Sequence, residues 1–191
     1  TNMTDFDEKG ISNYEKLGSV VVDLGNKFAT SEQEIVEMGA NISAAGKQIE
    51  LSAPEIMALG TTLSPVGIQA EKGGTAMTKL FRKMQTSVEL KDKYLEGYAS
   101  TDEFRDAFKS DALLATSKFI SGLNDTKRNG KSATALLTEL KLSDSRLFDT
   151  ITRLANSSGN MEKAIQTANK AWEEDTALTT EANKRYETFE S

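Results

Sequence analysis

Glycine recurs in this chain with a fixed beat, and that beat restricts the possible folds more than any other feature. Gly18, Gly39 and Gly60 lie 21 residues apart, and so do Gly25, Gly46 and Gly67. An apolar residue precedes each of them: Leu17, Leu24, Met38, Ala45, Leu59 and Val66. Ser31 falls in register with Ser52, Glu34 with Glu55, Ile35 with Ile56, and Val21 with Ile42 and Leu63. A fixed period of this kind marks one supersecondary unit used repeatedly. Two copies are clear and a third, over α-helical spacing around Gly18, is ragged.

The copies carry their own start and stop signals. Ser31 with Glu34, and Ser52 with Glu55, have the spacing of capping boxes, in which Ser accepts a first-turn amide and Glu reaches back to the cap amide. Pro54 falls in the first turn of the second helix, where its missing N–H costs little. Gly46 and Gly67 suit the left-handed position just past a helix end. Helices over about 32–45 and 53–63 follow. Gly39 and Gly60 then fall inside them, each costing about 1 kcal/mol against Ala. The expected compensation is close approach of a neighbouring helix.

Residues 1–16 are polar, with Phe6, Ile11 and Tyr14 as anchors, and read as a lead-in. Pro65–Gly67 and the Gly73–Gly74 pair read as turns before a helix from about Thr75 to Leu90. Its apolar face is Met77, Leu80, Phe81, Met84 and Val88, opposite Lys79, Arg82 and Lys83. Tyr94, Leu95 and Tyr98 lead to a further capping box, Ser100 with Glu103, and to Phe104 and Phe108 one turn apart. Ala112, Ala115, Phe119, Ile120 and Leu123 form the next stripe. Asn124–Gly130 is a loop, followed by helices marked by Ala133, Leu136, Leu137 and Leu140, and by Leu147, Phe148, Ile151 and Leu154. Asn156–Asn160 breaks the pattern again.

From Met161 to Phe189 there is neither glycine nor proline. Met161, Ile165, Ala168, Trp172, Asp175, Thr179, Ala182, Tyr186 and Phe189 alternate by four and three, a heptad seam weakened at Asp175 and Thr179. One helix of that length spans about 45 Å. The fold expected is therefore all-α: a compact bundle of short helices with Gly/Ser-capped turns over residues 17–158, then a long heptad-patterned helix over 159–191, the possible start of a coiled-coil extension that allows self-association. The chain opens at Thr1 and closes in a helical pattern, which reads as a segment of a longer protein.

Composition removes most chemistry. With no cysteine and no histidine, disulfides, thiol nucleophiles, Cys/His zinc sites and imidazole acid–base catalysis are excluded. A net charge of −6 runs against a dedicated nucleic-acid binder, which must displace counterions from phosphates. The longest aliphatic run, Val20–Val22, is far too short to cross a bilayer. The remaining acidic groups, Asp102/Glu103 and Glu173/Glu174/Asp175, lie on polar stretches, and Glu34 and Glu55 are accounted for as caps. Gly73–Gly74 lacks the strand and the Gly-Lys-Ser/Thr ending of a phosphate loop. The Lys79, Arg82 and Lys83 cluster is offset by Glu71, Glu89 and Asp92 and reads as a solvated face. Trp172 on the seam reads as core or as a contact with a second helix. No catalytic, cofactor-binding or metal-binding residue is assigned, and no cofactor is expected.

Three phrases carry a resemblance over about Leu17 to the end: ATSEQEIVEMG, LSAPEIMALGTTLSPVGIQAEKGGTAMTKLFRKM and AIQTANKAWEEDTALTTEANKRYET. They resemble the core region of the tail tape measure proteins of long-tailed bacteriophages. The resemblance implies a non-enzymatic structural virion protein, made in the bacterial host cytoplasm and sometimes carried on a prophage. It implies a helical protein in the tail tube lumen that sets tail length and scaffolds tube assembly. The partners it implies are tail tube and tail tip proteins and tail assembly chaperones. The alternative is a bacterial helical-repeat interaction scaffold without enzymatic activity.

Overall fold

The Ser-x-x-Glu phrases at Ser12, Ser31 and Ser52 each open a helix in the computed structural model of the chain. The structure describes residues 5, 7, 8, 10–90, 101–123, 135, 137, 138, 142 and 144–189. Among them the helices are α1 Asn13–Lys27, α2 Glu32–Gln48, α3 Ala53–Leu63, α4 Ala70–Leu90, α5 Thr101–Ser110, α6 Ala112–Gly122, α7 Ser145–Asn156, α8 Ser158–Glu174 and α9 Ala177–Phe189. No β-strand occurs among the described residues. The all-α expectation holds.

Both expected capping boxes form, at Ser31–Glu34 and Ser52–Glu55. A third, Ser12–Glu15, starts α1 inside the polar lead-in. Its spacing to Gly18 is two residues shorter than that of Ser31 to Gly39, which is why the third copy of the period is ragged. Tyr14, expected as an anchor, is instead 61% exposed, because the cap places it on the outer face of α1. Ser100 of the remaining expected box lies outside the described residues, as do Phe6, Tyr94, Leu95, Tyr98, the loop 124–130, Ala133, Leu136 and Leu140.

The α2 helix runs three residues past its expected end, and this moves the left-handed position. Gly46 is an interior helical residue, not a cap. Glu50 adopts the left-handed conformation with φ 61. Leu51 N–H donates to the Gly46 carbonyl at 3.0 Å and Glu50 N–H to that of Lys47 at 3.3 Å, the paired bonds of a Schellman end. Gly67, by contrast, takes φ +74 as expected.

The period-related helices α2 and α3 form an antiparallel pair. A Cβ at Gly60 would lie 3.0 Å from the Ile35 carbonyl oxygen and 3.2 Å from the Gly39 amide nitrogen. The backbones touch there because neither glycine holds them apart. Of Gly73 and Gly74, the first admits the Met38 side chain and the second lets the α4 backbone touch that of α2. Expected as a turn, they lie in the first turns of that helix, and a Cβ at Gly74 would meet the Asn41 carbonyl oxygen at 2.6 Å. Small residues let the α2–α4 axes cross closely, so the helix continues through them.

These crossings set out the core. Helix α2 packs on α3 and α4, α3 packs on α8, and α8 packs on α1 and α6. Helices α4, α6 and α3 also contact α7, while α5 packs on α6 and α4. One apolar cluster joins Val20 and Leu24 of α1, Ile35, Met38 and Ile42 of α2, Leu59 and Leu63 of α3, Met77, Leu80, Phe81 and Met84 of α4, Phe104 and Phe119, and Met161 to Ala171 of α8. Expected stripe residues Phe108, Ala115, Ile120, Leu123, Leu137, Leu147, Ile151 and Leu154 are all buried in it. Phe104 and Phe108 stack with ring centroids 5.5 Å apart.

The long C-terminal helix is not continuous. Helix α8 ends at Glu174, Asp175 takes a left-handed conformation with φ 47, and α9 starts at Ala177. The seam residues Met161, Ile165 and Ala168 are consumed by the core, and Trp172 is half-buried. The break falls at the first polar seam position, where no apolar contact favours extension. Helix α9 then packs on α1, which also carries α8.

Candidate functional site

The carboxylates that could do acid–base work are instead tied to helix ends. The Ser31 amide donates to Glu34 at 2.9 Å, and that bond, with those from the hydroxyls of Ser31 and Thr30, holds the Glu34 carboxyl below its ordinary range. The Ser12 amide and hydroxyl do the same for Glu15. Groups held this way stay ionised near neutral pH and are poor proton donors. Asp144, absent from the sequence reading, accepts from Lys79 at 2.8 Å and caps α7 through the Leu147 amide. Both bonds, that of Lys79 foremost, lower its pKa.

The other acidic clusters do not converge. Asp102 pairs with Arg105 at 2.6 Å across one turn of α5. Glu174 lies 3.7 Å from Lys170, whereas Asp175 accepts from the buried Ser19 hydroxyl at 2.8 Å. Among the described residues no group of three or more Asp or Glu could hold a metal ion. No described helix is long and apolar enough to cross a membrane.

The basic cluster is dispersed too. Lys79 bridges α4 to α7 through Asp144, Arg82 is exposed and Lys83 is partly covered. Trp172 sits half-buried on α8 with the Lys16 ammonium 6.0 Å from a ring centroid. Lys16 also pairs with Asp7 at 2.7 Å, so this tryptophan and its cation fasten the residues before α1 onto α8.

Two polar grooves flank α1. One, of about 550 Å³, lies between the end of α1 and α8 and is lined by Lys27, Phe28, Asn160, Lys163, Gln166 and Lys170, with Ala29 and Thr167. The other, of about 250 Å³, shares Lys27 and Lys170 and continues beneath α9 past Asp23, Asn26, Thr180 and Glu181. Lys27 is already paired with Asp23 at 2.7 Å. Such surfaces can dock a partner, but they gather no nucleophile, base and acid within reach of one atom. Sequence reasoning missed Ser19, whose bond to Asp175 joins residues 156 apart. No local pattern signals a pairing at that separation.

The model of a family described as phage-related minor tail protein matches residues 1–132 of the 191-residue chain. No curated protein and no solved structure matches it.

Proposed function

We propose that this chain, which belongs to the phage-related minor tail protein family, is a structural part of a tail tape measure protein. In this reading it acts without catalysis in the virion, within the tail tube. It scaffolds assembly of the tube through contacts with tube and tip proteins and with assembly chaperones. The observation that carries the reading is the family match over residues 1–132. The phrase Thr30–Met84, which resembles the tape measure core, falls wholly inside that match and builds the close α2–α3–α4 crossings.

The packing supports a particular place in that function. As one straight helix 191 residues would reach about 290 Å, but here the described helices fold back on one another around a shared core. A unit built from residues 17–158 and closed by α8 serves as a docking or initiation module, and tail length is counted by extended chain rather than by this unit.

The test is tail length by electron microscopy in a phage whose tape measure gene carries an in-frame deletion of this segment. Absent tails, or tails of scattered length, are expected. Shortening by about 1.5 Å per deleted residue would place the segment in the extended ruler and overturn the docking reading. Normal tails that infect normally would overturn a tail-assembly role. Normal tails that fail to infect would move the role to DNA delivery.

A further inference from the structure

Two grooves of opposite charge flank the segment that joins α3 to α4, and both are lined by its Gly67, Ile68 and Gln69. One, of about 370 Å³, opens toward α2 and carries Glu34 and Glu37, one helical turn apart. The other, of about 440 Å³, opens toward α7 and carries Lys72, Arg146 and Arg153 against a single carboxylate, Asp149.

Part of this charge is satisfied inside the chain. Glu34 accepts from the Ser31 amide at 2.9 Å. Arg153 donates to Asp149 at 2.9 Å and to the Val66 carbonyl at 3.0 Å, so it braces the joining segment. What is left is Glu37 in one groove and Lys72 with Arg146 in the other. All three are exposed, and among the described residues none of their side chains has an ion-pair or hydrogen-bond partner. Glu71, next to Lys72, lines neither groove. At the centre Gly67 is exposed and has no side chain to hold a neighbour away.

We propose that this surface pairs with a second copy of the chain, the acidic groove of each copy meeting the basic groove of the other. A two-fold axis along the joining segment exchanges the grooves, which is the self-complementary geometry of an isologous interface. Glu37 of each copy then meets Lys72 and Arg146 of the other. The occupant follows from charge. Copies carrying net −6 repel one another in most orientations, and like grooves set face to face repel as well. Crossing the grooves brings opposite signs together on both sides of the axis. A nucleic-acid backbone would instead meet Glu34 and Glu37 beside the cations. The pairing stands on these grooves alone and does not depend on the tail role.

Analytical ultracentrifugation of the chain between about 10 μM and about 1 mM reads the pairing. A dimer is expected at about 0.15 M salt and a weaker one at about 1 M. Long-range repulsion is already screened at the lower value, so the added salt acts on the contact charges. Glu37→Arg is expected to weaken dimerisation by about tenfold or more, and so is Lys72→Glu combined with Arg146→Glu. All three positions are exposed, and thermal melting shows that the variants fold. An equimolar mixture of the two variants restores opposite charges across both contacts and is expected to dimerise again. A wild-type chain that stays monomeric, a dimer that salt strengthens, or a dimer that neither variant weakens overturns the proposal. A mixture that stays monomeric overturns it as well.

Discussion

Gly60 rests directly on Gly39: a Cβ at Gly60 would stand 3.2 Å from the Gly39 amide nitrogen and 3.0 Å from the Ile35 carbonyl oxygen. These two glycines are equivalent positions of the 21-residue period. The repeat thus makes its own partner, since each copy supplies the flat spot on which the other lies. The helix-propensity cost of the two glycines is offset by burial of Ile35, Met38, Leu59 and Leu63 around the crossing.

The glycines should not respond alike to substitution. Gly60→Ala pushes a methyl group into backbone that cannot move and is expected to cost about 1–3 kcal/mol. Gly74→Ala, against the Asn41 carbonyl at 2.6 Å, is expected to be at least as harmful. At Gly39 the new methyl meets the end of the Met57 side chain, which can swing aside. The helix-propensity gain of about 1 kcal/mol then leaves Gly39→Ala close to neutral. Urea unfolding of the three variants checks the order.

Glu50 is the inverse case. It holds the left-handed end of α2 with a side chain where glycine is preferred. Glu50→Gly is expected to stabilise the protein by about 1 kcal/mol, read as a rise in the urea midpoint with an unchanged slope.

The capping carboxylates make stability depend on acid. Glu15 and Glu34 titrate below their ordinary value of 4.5 in the folded chain. Each therefore contributes stability that is fully present above that value and is lost as pH falls through the lower folded value. Thermal unfolding between neutral pH and about pH 3 is expected to show a falling midpoint. The fall is smaller in Glu15→Gln and Glu34→Gln, whose caps do not titrate.

Lys79 and Asp144 form an exposed pair, yet the two partners differ in weight. Lys79→Ala removes only a screened ion pair between α4 and α7. Asp144→Ala also leaves the Leu147 amide without its cap and is expected to lower the melting midpoint further. Equal effects would mean that the ion pair, not the cap, carries the contact.

Nucleic acid should not be a partner of this segment. With net charge −6, and with Lys79 and Lys27 already paired to carboxylates, retention on immobilised DNA is expected to vanish at about 0.15 M salt.

Local chemistry along the chain determined the all-α class, the starts of α2 and α3 and the buried stripes of the helices it marked. Ser31, Ser52 and Pro54 act through bonds within four residues, and stripes such as Met77, Leu80, Phe81 and Met84 need only the helical period to declare a face. A resemblance to phage tail proteins was legible there too, in the phrases around those same caps, and the family match covers those phrases. What tertiary structure alone decided concerns residues that act across distance. Gly46 reads as a left-handed helix end and Gly73–Gly74 as a turn, but packing against Ile56, Met38 and Asn41 made them helical contact points. The heptad seam after Met161 predicts one straight helix, because periodicity cannot tell a partner from the chain's own core. The core took Met161, Ile165 and Ala168, and the chain turns back at Asp175, whose carboxylate accepts from the buried Ser19 hydroxyl. A bond between residues 156 positions apart leaves no mark on local pattern, so only the folded chain could select it.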